Sequence, residues 1–258
     1  MRRIVKSDFC IYSSQSQGVF SPCDFVEAAV NRGLETLVFE LPKEKHLQID
    51  LWHLREKYAG KLCILFAETG EKRREDMDPM TDLLIGEVET LNLGGKIIPF
   101  PKTASEARDA VRYLTGRAYH LTHLYHDAVA SLKKRTGCDI VRFFDVNALW
   151  NADGTLFDEN YSLYYQNHMM CVEKLTEQDV ILEICTALKR KGNHPIQYPS
   201  MHALRYWGQQ RARIVLSSRA ESPDMLCTSF REALLQLHAC GIGSVYYPIE
   251  DGFAQLSI

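Results

Sequence analysis

Residues 7–18 read SDFCIYSSQSQG, and Ser21-Pro22 and Asp24 follow closely. Asp8, Cys10 and Tyr12 alternate with Phe9 and Ile11, which is the two-residue period of a strand. The run then turns through Ser, Gln and Gly. Ser21 suits an N-cap, Pro22 suits the first helical position, and Asp24 stands where a capping box carries Glu or Gln. A strand therefore ends in a polar loop that feeds a helix. In a parallel α/β barrel such a loop lies on the face that carries chemistry. An ordinary first βα unit would read the same way.

Outward from this unit the pattern repeats. Residues 24–31, 48–58, 121–133, 163–175, 200–209 and 225–239 have helical spacing, and Thr103 with Glu106 forms a capping box that opens a helix to about residue 114. Between them 35–39, 61–66, 83–88, 96–100, 139–144, 180–184, 212–216 and 244–247 read as short apolar strands. The βα rhythm recurs about seven times, as in an α/β barrel or a doubly wound sheet. No composition shift divides the chain, so residues 1–258 are expected to form a single domain.

Composition narrows the function. Apolar residues make up 46%, and thirty basic against thirty-three acidic residues leave a formal charge of −3. Neither a nucleic-acid surface nor an anionic-membrane surface is indicated. The eight cysteines are scattered with no C-x-x-C pair and several sit in apolar runs, as buried thiols of a reducing compartment do. No apolar run reaches transmembrane length, and MRRIVKSD leads straight into a strand without the h-region of a signal peptide. The expected location is the cytoplasm, with no nucleic-acid or membrane partner.

The candidate site lies at the C-terminal ends of the expected strands. It comprises Asp8, Cys10, Tyr12, Glu40, Glu68, Glu89, Asp145, Arg219 and Glu221, with Glu87 and Thr186 at neighbouring strand ends. In a barrel these converge on one mouth. Glu68 stands out because it follows the apolar strand KLCILF, so its carboxylate must be hydrated, paired or ligated. His120, His123 and His126 recur every three residues. At roughly 100° per residue the outer two lie about 120° apart, too far to converge on one ion, and an exposed helix flank is expected for them. His168, His194 and His202 lack metal-motif spacing and are expected at the surface or in caps. There is no P-loop, no G-x-G-x-x-G and no G-x-S-x-G elbow.

The opening stretch also resembles the first motif of the polymerase-and-histidinol-phosphatase (PHP) family, D-x-H-x-H-T-x-x-S-D-G followed by S-P and a helix. Asp8, Ser16 and Gly18 match. Cys10 and Tyr12 stand at the two histidines, Ser13 at the threonine and Gln17 at the aspartate. The likeness continues along the chain and is closest to the histidinol-phosphatase branch. Glu40-Leu41-Pro42 takes the place of T-D-H, and Phe66-Ala67-Glu68 matches the strand ending in G-x-E. DLLIGEVE (82–89) is similar to D-Y-V-I-G-S-V-H, with Glu89 at the histidine. CDIVRFFD (138–145) is similar to F-D-V-L-G-H-L-D, with Phe143 at the histidine and Asp145 retained. VLSSRAESP (215–223) resembles T-L-G-S-D-A-H-S-P, with Arg219 at the aspartate and Glu221 at the histidine. Residues 182–191 with Tyr198-Pro199-Ser200 resemble L-E-I-N-T-S-G-L-R-K and Y-P-S.

The resemblance implies a distorted seven-stranded (β/α)7 barrel. Family members bind two or three metals that polarise a phosphate ester, and here most of those ligands are replaced. The resemblance thus implies a PHP-fold protein without the multinuclear site, a non-catalytic small-molecule-binding or regulatory relative, and no metal cofactor is expected. The alternative is a metal-dependent phosphoesterase or hydrolase with a rearranged site. One divalent zinc, manganese or iron ion would then sit on Cys10, Glu40, Glu68, Glu89 and Glu221. Arg219, following an apolar strand, is expected to turn into the mouth and pair with Glu68, or in its place with Glu40, Glu89 or Glu221, where a small anionic ligand could share it. The other option is an outward, solvated Arg219.

Overall fold

A computed structural model describes residues 6–14, 18–151, 154–186 and 199–258. Strand β1 (Ser7–Ile11) leads to helix α1 (Pro22–Arg32), β2 (Thr36–Glu40), α2 (Lys45–Tyr58), β3 (Cys63–Gly70) and β4 (Leu83–Gly86). A hairpin of β5 (Thr90–Leu93) and β6 (Lys96–Pro99) then precedes α3 (Ala104–Tyr113), α4 (Ala118–Thr136) and the two-residue β7 (Ile140–Val141). The chain continues through α5 (Ser162–Thr176), β8 (Ile181–Cys185), α6 (Met201–Gln210), β9 (Ile214–Ser217), α7 (Phe230–Ala239), β10 (Ser244–Ile249) and β11 (Gly252–Ser257).

The main sheet has nine strands in the order β1-β2-β3-β4-β7-β8-β9-β10-β11. All neighbours are parallel except the antiparallel pair β10–β11. Side chains alternate across a strand, so each strand offers one row inward and one outward. Phe9, Val38, Leu65, Ala67, Leu83, Ile85, Ile140, Ile181 and Val215 form one buried cluster. They come from β1, β2, β3, β4, β7, β8 and β9, so these seven strands curl around a common interior. Two expectations need correcting. Among the described residues the sheet has nine strands, not seven, and its ladder stays open between β1 and β9. The gap is bridged instead by the Tyr12 amide donating to the Ala220 carbonyl at 3.1 Å. Tyr246 and Phe253 of the β10–β11 hairpin pack on the interior cluster, and the Thr36 hydroxyl donates to the Pro248 carbonyl at 2.8 Å. The hairpin therefore covers the end where the parallel strands begin.

The outward rows bury against helices. Phe25, Val26 and Ala29 of α1 and Leu51 of α2 pack on Leu37, Phe39, Ile64 and Phe66. A larger cluster joins α3 to α7 with the outer side of β4, β7, β8 and β9. Local signals set the helix ends. In α1 the Ser21 amide donates to the Asp24 carboxylate at 2.9 Å and the Asp24 amide donates back to Ser21 Oγ at 3.3 Å. Gly33, at φ 69°, closes the helix in the left-handed region that glycine adopts without a Cβ penalty. Ser21→Ala is expected to cost about 1 kcal/mol of stability, read as a lowered urea midpoint at unchanged m.

Candidate functional site

Inward parity fixes the residues at the strand exits. On β4 the row of Leu83 and Ile85 continues to Glu87. On β7 the row of Ile140 continues to Arg142, and on β8 the row of Ile181 continues to Glu183. These three meet. Arg142 Nε lies 3.1 Å from Glu183 Oε2, and Arg142 Nη1 lies 3.1 Å from Glu87 Oε2. The Arg142 side chain is 1% exposed and that of Glu183 is 2% exposed, while that of Glu87 is 31% exposed, so the Arg142–Glu183 pair is away from bulk water and Glu87 meets it from the solvent side. Burial pushes the Glu87 carboxyl upward, and the charges of Arg142 and Arg219 pull against that shift.

Arg219 joins this group from the end of β9. Its guanidinium donates to the Tyr12 hydroxyl, lies 4.9 Å from the Tyr12 ring centre, and lies 4.7 Å from that of Phe143. Arg142 lies 4.7 Å from the same Phe143 ring, which thus contacts both cations. Phe143 (φ 58°) and Arg219 (φ 48°) both hold left-handed backbone, a strained state for residues with a Cβ. The Phe143 carbonyl is held by the Tyr125 hydroxyl. Tertiary contacts therefore over-determine the geometry at this exit.

Of the other expected residues, Tyr12 stays at this exit and Glu40 continues the inward row of Val38, while the rest lie elsewhere. Asp8 is buried and accepts from the amides of Phe9, Ser218 and Cys227 at 2.8, 2.8 and 2.7 Å, and from the Ser218 hydroxyl. Its oxygens are spent joining β1 to the β9 exit. Tyr12 is the partner of Arg219. Glu40 accepts from the Thr69 hydroxyl at 2.9 Å. Glu68 shares its parity with Ile64 and Phe66, so it lies on the outer face. There it accepts from Lys72 at 2.7 Å, from the Asp78 amide at 2.6 Å and from the Thr81 hydroxyl at 2.7 Å. Burial works to raise its pKa, but these three donors together hold it below the ordinary value. The expected Arg219–Glu68 pair is thus replaced by Arg219–Tyr12 and Glu68–Lys72. Glu89 is exposed near Gly70, and Glu221 is exposed. Of Cys10 only the backbone, within β1, is described, so a ligand set through its side chain lies outside the described residues.

A second group lies on the outer side of the β7 exit. His126 of α4, Asp145 beyond β7 and His168 of α5 are all buried, and their ligand-type atoms lie within 4.8 Å of one another. Asp145 Oδ1 is 3.4 Å from His168 Nδ1 and accepts from the Tyr164 hydroxyl at 3.3 Å, while Oδ2 accepts from the Ser200 amide at 3.0 Å. Ser200 Oγ is 2.9 Å from His168 Nε2. Among the described residues neither ring nitrogen of His126 has a hydrogen-bond partner, and burial pushes its pKa down to about 3. Burial alone would raise the Asp145 carboxyl, but the charge and hydrogen bond of His168 bring it below the usual carboxylate range. Phe144 stacks on His126, with ring centres 6.1 Å apart, and its ring lies 5.0 Å from that of His168. The expected surface or flank roles of His126 and His168 are therefore corrected, whereas His120 is exposed and His123 is partly so. Thr122, Val129 and Ala130 are buried on the same stripe of α4 as His126, and that apolar stripe was its signal in the sequence.

No protein-family model and no curated protein matches the chain. Solved structures do. A histidinol phosphate phosphatase of Lactococcus lactis, crystallised with zinc, L-histidinol and phosphate, superposes with a TM-score of 0.66 at 15% identity, covering 96% of this chain and 98% of that one. A Listeria monocytogenes chain assigned as a histidinol phosphatase gives a TM-score of 0.63 at 11% identity, over 88% of this chain and 98% of that one. The chain thus has a mixed α/β fold of the histidinol-phosphatase kind. The expectation that no metal is needed is overturned. The Lactococcus structure carries zinc, and this chain contains a buried His–Asp–His group of metal-ligand type. The donors fit a transition metal, since two imidazoles and a carboxylate are ordinary zinc ligands. No described helix is long and apolar enough to cross a membrane.

Proposed function

We propose that this chain is a single-domain, cytoplasmic, PHP-fold protein that binds a small anionic ligand at the strand exits and does not hydrolyse it there. The observation that supports this most is the Glu87–Arg142–Glu183 bridge. It puts a buried guanidinium between two acidic groups of the inner row. Two carboxylates already committed to an arginine are poor ligands for a pair of divalent ions, and a second cation, Arg219, stands beside them. A multinuclear centre does not fit this donor set. Arg219 instead offers a fixed charge to a phosphate or carboxylate, and the Tyr12 hydroxyl beside it can shift to the ligand.

The experiment is calorimetric titration with inorganic phosphate and with histidinol phosphate, alongside a phosphomonoester assay with zinc, manganese or iron added. Binding without turnover is expected, and Arg219→Ala should weaken it by about tenfold or more, the worth of one charge-assisted hydrogen bond. Metal-dependent turnover abolished by Arg142 or Glu87 variants would sink the reading. A metal-dependent hydrolase is the second reading, favoured by the His126–Asp145–His168 group. It requires turnover that disappears when His126 is replaced.

A further inference from the structure

We propose that His126, Asp145 and His168 hold one divalent transition ion of the zinc class, which ties α4 and α5 to the end of β7 on the helix-covered side of the sheet. This goes beyond the anion-binding reading and does not depend on it.

The argument starts from hydrogen-bond accounting. Ser200 is the N-cap of α6, and its hydroxyl oxygen already accepts from the Ala203 amide at 3.3 Å. The same oxygen lies 2.9 Å from His168 Nε2. When Nε2 accepts from the Ser200 hydroxyl, Nδ1–H faces Asp145 Oδ1 at 3.4 Å; when Nε2 carries the proton and donates to Ser200, Nδ1 presents a lone pair there. In either tautomer Nδ1 of His168 makes no well-formed hydrogen bond among the described residues. His126 adds ring nitrogens that have no partner among the described residues, on a residue only 1% exposed. Buried polar atoms of native proteins are nearly always satisfied. A cation between the three residues would satisfy Nδ1 of His168, one oxygen of Asp145 and one nitrogen of His126 together.

The surroundings are those of a supported ligand set. A ligating imidazole normally donates its other N–H to a fixed acceptor, and ligating carboxylates are themselves hydrogen-bonded. Ser200 Oγ serves His168 in that way. The Ser200 amide and the Tyr164 hydroxyl serve Asp145. The ligand atoms are somewhat wider apart than around a bound ion, where metal–nitrogen distances of about 2.0–2.1 Å apply. Binding would draw α4 and α5 slightly together. Imidazole and carboxylate donors favour zinc, iron or cobalt over magnesium or calcium. The ring of Phe144 against both imidazoles shields the centre from bulk solvent.

The test is metal content of untagged protein after reconstitution with zinc and dialysis, followed by cobalt substitution and visible absorption. About one equivalent is expected for the unaltered protein, with the intense bands of low-symmetry four-coordinate cobalt. His126→Leu and His168→Leu should each lose the metal and the bands. Arg219→Ala should keep both, which separates this site from the strand exits. If either histidine variant fails to fold, His126→Gln, close in size and polar, replaces it under the same criterion. Protein that takes up no zinc or cobalt overturns the proposal. Metal retained in the histidine variants but lost in Arg219→Ala or Glu87→Gln overturns it in favour of the strand exits.

Discussion

Arg142→Ala is expected to lower stability by about 3–5 kcal/mol, the cost of breaking a buried ion pair from one side. The loss arises from what remains. Glu183 is 2% exposed at its side chain and keeps no Arg142 Nε at 3.1 Å, and Glu87 loses its Nη1 partner at the same distance. Their charges would then face each other across the interior end of the sheet. Water must then enter to reach Glu183, whereas Glu87, 31% exposed at its side chain, is already within its reach, and the strand exits loosen. Arg142→Lys should recover only part of the loss, because an ammonium has no fork to reach two carboxylates in different directions. Arg142→Met combined with Glu87→Gln and Glu183→Gln should be milder than Arg142→Ala alone, since it removes the uncompensated charges. Urea unfolding followed by circular dichroism reads all three. An Arg142→Ala midpoint within error of the parent would show that the bridge contributes nothing.

Much of this architecture is legible in the sequence, where local signals decide. Ser21-Pro22, Asp24 and Gly33 define α1 within two residues of its observed ends at Pro22 and Arg32. The site is harder to read because it rests on parity and on contacts between distant segments. Residues 139–144 look like one strand, yet only Ile140–Val141 pair as one. Phe143 enters left-handed backbone, with its carbonyl on Tyr125, and the run ends there. The apolar strand before Glu68 shows no polar alternation, so nothing local says which face Glu68 takes. Burial of Ile64 and Phe66 against the helices puts it outside, away from Arg219. Arg142 could have been found by counting two residues on from an inward Ile140. The strand β11 was missed because its residues are mostly half-exposed, without an apolar run. His126 and His168 lie on buried stripes of two different helices. Their meeting at Asp145 depends on how α4 packs on α5, which no spacing within either helix reports.

Asp8→Ala is expected to destabilise the chain by about 3 kcal/mol or more, because it strands several buried donors at once. Oδ1 accepts from the Phe9 and Ser218 amides, both at 2.8 Å, and Oδ2 accepts from the Cys227 amide at 2.7 Å and from the Ser218 hydroxyl. The sheet ladder is open between β1 and β9, so this carboxylate and the Tyr12–Ala220 bond hold the two edges together. Burial pushes the Asp8 carboxyl upward, while each of these donors lowers it. Asp8→Asn is the sharper test. Its amide nitrogen would replace one oxygen and point donor to donor at two of the four groups, so Asn should rescue little despite its equal size. Asp8→Ala should also speed amide hydrogen exchange at Ser218 and Cys227, while β3 and β4 retain their protection. An Asp8→Asn protein as stable as the parent would mean that the carboxylate is not needed as a four-way acceptor. The seam would then be held by backbone contacts alone.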